Sequence, residues 1–180
     1  MKNRTVYGRN LTFCGIMTAF MCILGIIANV MHFNTLFFLA VMSLIMCVVT
    51  QKTGIRYAIC TSLATSILLF VFTWNKIIAL EYFLFFGTYP VIKYIIESKI
   101  RKDNVEKTAK AIFFAFDSAA IVFAAEFVLG GVSFWGDWYS GGIMNVICFV
   151  AVALLETVYD FMLSYFVYLF NKKFNGRLFK

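Results

Sequence analysis

Long apolar runs alternate with short polar joints along the whole of this 180-residue chain. The runs cover residues 11–31, 35–50, 57–75, 82–96, 111–135 and 143–170, and each is dense in Phe, Ile, Leu, Val and Ala. A helix needs about twenty apolar residues to cross the hydrocarbon core of a bilayer. The first run meets that length without a charge, and the second, though shorter, spans with help from its flanks. Joints at 32–34, 51–56, 76–81 and 136–142 separate the runs, and residues 97–110 form one longer polar stretch. In that stretch acids precede bases at i,i+4 (Glu97/Arg101, Asp103/Lys107, Glu106/Lys110), an order that supports a solvated helix. Gly87 and Pro90 predict a kink in the fourth run, because proline lacks the backbone donor and crowds the carbonyl four residues earlier. The pattern predicts an all-α integral membrane protein, a six-transmembrane-helix bundle forming a single membrane domain over 1–180.

Charge orients that bundle. Of 16 Lys and Arg residues, all but Lys76 and Lys93 fall in four clusters, at 2–9, 52–56, 99–110 and 172–180. Short loops rich in Lys and Arg stay on the cytoplasmic side, so four clusters place both termini cytoplasmic and leave three outward hairpins. The basic stretch before residue 11 resembles a signal-peptide n-region, but the apolar run behind it is too long for an h-region and reads as an uncleaved first span. Composition agrees: 62% hydrophobic and 14% charged, with a mean hydropathy of +0.86, values outside the range of a soluble domain. A net charge of +7 suggests nucleic acid in a soluble protein. Here the cations are spread over loop ends with no basic, aromatic-interleaved stripe, so topology and contact with anionic lipid account for them. The five cysteines (14, 22, 47, 60, 148) sit inside apolar runs without a CxxC, which argues against a disulfide framework or a metal cluster.

Four acids lie within the last two spans: Asp117, Glu126, Glu156 and Asp160. An ionisable residue at that depth is a functional candidate by default. Counting down from the Trp138/Tyr139 turn, Glu126 lies about thirteen residues below and Glu156 about seventeen, near mid-membrane at 1.5 Å per residue. Asp117 and Asp160 lie towards the cytoplasmic end, where pairing with loop cations such as Lys107 or Lys173, or protonation, explains them without a functional role. Glu126 and Glu156 are either hydrogen-bonded across helices or face a polar cavity. On the outer side Trp135, Trp138 and Tyr139 flank a Gly-rich turn, with Trp74, Tyr82, Phe85, Phe86 and Tyr89 at comparable depth. Two readings stand: an aromatic belt at the lipid interface, or an aromatic box around a planar or cationic ligand, with Asn145 orienting the ligand and His32 in a lid. Small residues at i,i+4 mark close helix contacts, either internal or with a second membrane protein. They are Gly15/Ala19, Ala58/Ser62/Ser66 and Ala111/Ala115/Ala119. No Ser-His-Asp set, HExxH, P-loop or His/Cys ligand set can be assembled. The chain therefore reads as a non-enzyme without a cofactor or metal.

The stretch from Glu126 to Asn145, EFVLGGVSFWGDWYSGGIMN, is similar to the end of helix five and start of helix six in thiamine-type S components. These are the substrate-binding membrane subunits of energy-coupling factor (ECF) vitamin transporters in bacteria. Glu126 stands where those members usually have His, and their Ala-xxx-Ala docking signature in helix one is matched only by Gly15-xxx-Ala19. The resemblance implies a bacterial cell-membrane protein that binds a vitamin-like micronutrient on its outer side. Its pocket would draw on Glu126, Trp135, Trp138, Tyr139, Asn145, Tyr89 and His32. It also implies docking through Gly15 and Ala19 to an ECF transmembrane subunit and two ATPases, which supply the energy. Two other classes remain: a stand-alone proton- or cation-coupled transporter using Glu126 and Glu156, and a non-transporting scaffold similar in size and span count to the cell-shape protein family MreD.

Overall fold

The computed structural model describes residues 2–31, 34–99, 103–128 and 141–174, and the regular elements among them are all helical. In chain order they are α1 (Lys2–Met31), α2 (Thr35–Thr53), α3 (Ile55–Phe72), α4 (Lys76–Glu81), a π-helical turn (Tyr82–Phe86), α5 (Tyr89–Lys99), α6 (Asp103–Val128) and α7 (Gly141–Phe174). Four stretches are long and apolar enough to cross a membrane: Tyr7–Met31, Thr35–Thr53, Ile55–Phe72 and Phe149–Phe170. The run expected as a fifth span is helical from 111 to Val128, and its remainder lies outside the described residues. The polar stretch 97–110 is helical at both ends, through the last turn of α5 and the first turns of α6. The chain divides into two compact units, Met1–Glu106 and Lys107–Lys180.

The first unit buries hydroxyls beside an apolar core and turns many large apolar side chains outward. Ser43, Thr50, Thr61, Ser62, Thr65, Ser66 and Thr73 are buried, while Ile16, Phe20, Ile23, Val30, Ile67, Phe70 and Phe72 face outward. In lipid, outward Phe and Ile cost nothing, and inward hydroxyls need a partner. Most find one in their own helix, four residues back: Thr50, Thr61, Thr65 and Ser66 each donate to a carbonyl at 2.8 Å. Thr73 does the same to Leu69 at 2.6 Å. The apolar core runs through Met21, Leu39, Met42, Met46, Ala58, Leu69, Ile78, Ala79, Tyr82 and Val91. α1 lies against α2 and α3, and α2 also meets α5. Gly25 brings α1 close to α3, since a Cβ there would collide with the Leu69 side chain.

Short joints need particular residues. Gly54 joins α2 to α3 alone, at φ 87° and ψ 169°, a backbone conformation that side chains resist. Asn34 opens α2 from the left-handed region at φ 71°, where asparagine is better tolerated than most residues. At the other end of α3, Lys76 donates to the carbonyls of Phe70 (2.6 Å) and Thr73 (2.9 Å), closing off the carbonyls of the helix end. Asn75 caps α4 by accepting from the Ile77 amide at 3.1 Å, and its own amide donates to Asn29 Oδ1 on α1.

The kink expected in the fourth run is a break with a π-helical turn before it. The Gly87 amide reaches back five residues to the Tyr82 carbonyl at 2.6 Å, and Thr88 Oγ1 donates to the Phe83 carbonyl at 2.5 Å. A side chain at Gly87 would lie 2.8 Å from Ser62 Oγ and 2.9 Å from the Tyr82 carbonyl. Pro90 is the second residue of α5, where its missing donor costs nothing. The Val91 and Ile92 amides bond Thr88 instead, at 3.2 and 3.1 Å.

Candidate functional site

In the second unit, α6 and α7 bring the sequence-selected acids together. Lys110 Nζ lies 3.5 Å from Asp160 Oδ2. Two turns further along α6, Asp117 stands beside Glu156, which is one turn back along α7 from Asp160. The steps run in opposite directions, as in an antiparallel helix pair. Asp117 is 3% exposed and Glu156 4% exposed, with Phe114, Ser118 and Leu163 buried in the same unit. Ser118 Oγ donates to Glu156 Oε2 at 3.1 Å.

The Asp117 and Glu156 carboxyls are neighbours that act on one another electrostatically. Asp117 Oδ2 and Glu156 Oε1 receive no hydrogen-bond donor among the described residues. Ionised carboxylates only accept, so contact between two of them becomes a hydrogen bond only when one carries a proton. Two adjacent charges at that depth repel strongly. Two buried acids side by side favour keeping a proton over ionising together, and the Ser118 hydroxyl steadies Glu156. Chemically such a pair can take up and release a proton, or trade it for a cation.

This placement bears on the reading of the lower acids. Asp160 meets a cation of the polar stretch, as expected of a loop cation, and the one it meets is Lys110. Asp117, expected either to pair with a loop cation or to stay protonated, is buried beside Glu156. Glu156, expected either to bond across helices or to face a cavity, bonds across to α6.

The outer candidates fare differently. His32, Trp135, Trp138 and Tyr139 lie outside the described residues. Glu126 sits in the last turns of α6 and Asn145 in the first turns of α7, both with side chains outside the description. Tyr89 is 0% exposed in the first unit, its ring stacked on Phe85 at 5.3 Å and 10°. It is a packed interior ring with that face covered. Gly15 and Ala19 are exposed on α1, and a Cβ built on Gly15 would meet nothing within 4 Å. Ala111, Ala115 and Ala119 are likewise exposed on α6, whereas Ala58, Ser62 and Ser66 are buried.

One buried charge escaped the sequence reading. Lys93, on α5, is 2% exposed, with Nζ 3.3 Å from Glu97 Oε1 and 5.9 Å from the centre of the Tyr89 ring. Its signal was present: it is one of two cations outside the four basic clusters, and the one within an apolar run. No described His, Cys, Asp or Glu residues form a group of three able to hold a metal ion. Comparison with known protein families, with characterised proteins and with solved structures gives no match to this chain.

Proposed function

We propose that this chain is a multi-pass transport protein of the cell membrane, with six spans and both termini cytoplasmic, in which proton exchange at Asp117 and Glu156 drives the movement of a small cationic solute. The observation that carries this is the buried carboxyl pair itself. Acids at membrane depth are expensive and are kept where they do work. When the proton leaves, two neighbouring negative charges remain, and a solute cation relieves them. Loading a cation and loading a proton are thus alternatives at one place, which couples their gradients.

The test is flux in proteoliposomes without ATP. Purified chain is reconstituted with a pH-sensitive dye inside, a pH gradient is imposed, and Na⁺, K⁺ and a panel of small organic amines are added outside in turn. The expected result is dissipation of the gradient by at least one cation. Asp117→Asn and Glu156→Gln should slow it by about tenfold or more, the scale of removing a single ionic contact worth roughly 1.5–3 kcal/mol. Flux that persists unchanged in both variants overturns the reading.

A second reading is favoured by the open Gly15/Ala19 face: an ECF-type substrate-binding subunit that docks a partner there. It calls for a vitamin-like ligand that co-purifies and is identified by mass spectrometry. Titration of that ligand should weaken by about 1.5–3 kcal/mol in Glu126→Gln, and Ala19→Trp should abolish assembly by separating the helix backbones. A chain showing neither flux nor ligand would be a membrane scaffold.

A further inference from the structure

We infer that the end of the first unit where α1 meets the α2–α3 turn is a binding surface for anionic phospholipid. This rests on the membrane reading above but adds a partner and a place that the transport proposal does not contain. The first 80 residues hold six cations (Lys2, Arg4, Arg9, Lys52, Arg56 and Lys76) and no Asp or Glu; the first acid is Glu81. No carboxylate on α1, α2 or α3 can therefore neutralise their positive charge.

The fold gathers three of these cations at one end. Lys52 Nζ sits 4.0 Å over the centre of the Phe13 ring, and Arg9 lies one helical turn before Phe13 on α1. The neighbouring Cys14 Sγ donates to Thr53 Oγ1 at 3.8 Å, which fixes this part of α1 against the end of α2. Across the Gly54 turn, Tyr57 approaches Tyr7 of α1 with ring centres 6.3 Å apart, and Arg56 precedes it. Arg9, Lys52 and Arg56 are all exposed.

The surroundings select a lipid over a free phosphate or an acidic protein. Tyr7 is 66% exposed beside the cations, and a tyrosine, with its apolar ring and polar tip, settles at head-group level. Lys52 sets its ammonium against the Phe13 ring while the residue as a whole stays exposed, which joins charge to aromatic surface at this end. Leu11 and Ile16, directly beyond on α1, are 68% and 60% exposed. Phosphate-binding charge and aromatic rings thus share one end of the unit, with exposed apolar side chains that suit acyl chains next to them on α1.

The experiment compares spin-labelled phosphatidylglycerol with spin-labelled phosphatidylcholine on the full chain in phosphatidylcholine vesicles. The expected preference for phosphatidylglycerol is about fivefold, falling with added salt, as a few near-surface cations would give. Arg9→Gln/Arg56→Gln should bring the ratio to about one to two, while the charge-matched Lys107→Gln/Lys172→Gln should leave it unchanged. Three outcomes overturn the inference: a wild-type ratio near one, an equal loss in both double variants, or full displacement of the labelled lipid by millimolar inorganic phosphate. Failure of the chain to float with vesicles at alkaline pH overturns the membrane reading as well. Flotation with a ratio near one defeats the lipid surface alone.

Discussion

A lysine inside an apolar helix must meet a high desolvation cost, and Lys93 does so by reaching Glu97 one turn on, at 3.3 Å. The two ends of this pair are unequal, since the Glu97 side chain is 36% exposed and that of Lys93 only 3%. Removing the outer partner leaves the deeper charge less well served than the reverse. Glu97→Gln should therefore lower the thermal midpoint in detergent more than Lys93→Met. Both should cost less than the ~3–5 kcal/mol of breaking a fully buried pair. Glu81, at the end of α4, carries a different imbalance: burial pushes its carboxyl up from its ordinary value. A raised folded value means the neutral form suits the fold, so stability declines as pH rises from the unfolded value through the folded one. Glu81→Gln should melt with the wild type at pH 4 and above it at pH 7.5; equal midpoints at both would show that burial there is immaterial. At this scale sequence reasoning found the acids of the last two runs, because charge in an apolar run is conspicuous. It did not say which residues they meet, because which face of α6 meets which face of α7 is set by packing.

Element boundaries followed the hydropathy pattern where helices are uniform. α2 and α3 lie within a few residues of the runs that foretold them, with Gly54 at the joint between them. The fourth run is where the reading went only halfway. Gly87 and Pro90 announced an irregularity, but proline enters α5 harmlessly and the real cause is the space at residue 87. Ser62 Oγ and the Tyr82 carbonyl leave no room for a methyl group. Gly87→Ala should consequently destabilise the fold by about 1–3 kcal/mol, the usual cost of overpacking, measured as a lower thermal midpoint. A neutral result would mean the π turn yields easily. The small-residue signal divided by face: Ala58, Ser62 and Ser66 pack inward, while Gly15, Ala19 and the α6 alanines look outward. Spacing alone cannot tell these apart, and it passed over Gly25, the glycine that sets the approach of α1 to Leu69.

For the whole molecule, hydropathy supplied the helical membrane class, and the basic clusters supplied an orientation that only chemistry on cells can test. In a background without the five native cysteines, Ser140→Cys should react with an impermeant thiol reagent on intact cells. Asn104→Cys and Asn175→Cys should react only after permeabilisation. External labelling at 104 would overturn the six-span arrangement. The division at Glu106/Lys107 was not legible beforehand, because one continuous helix, α6, crosses it. A last consequence belongs to the π turn. Five residues there occupy roughly the arc that four would in an α-helix, so the segment behaves as if one residue had been spliced into an older, regular helix. Excising one residue from 82–86 would restore the regular winding and swing everything on α5 around its axis by about 100°. Lys93 would leave its buried seat beside Tyr89, and the position of a charge in this protein would then be set by the count of residues before it.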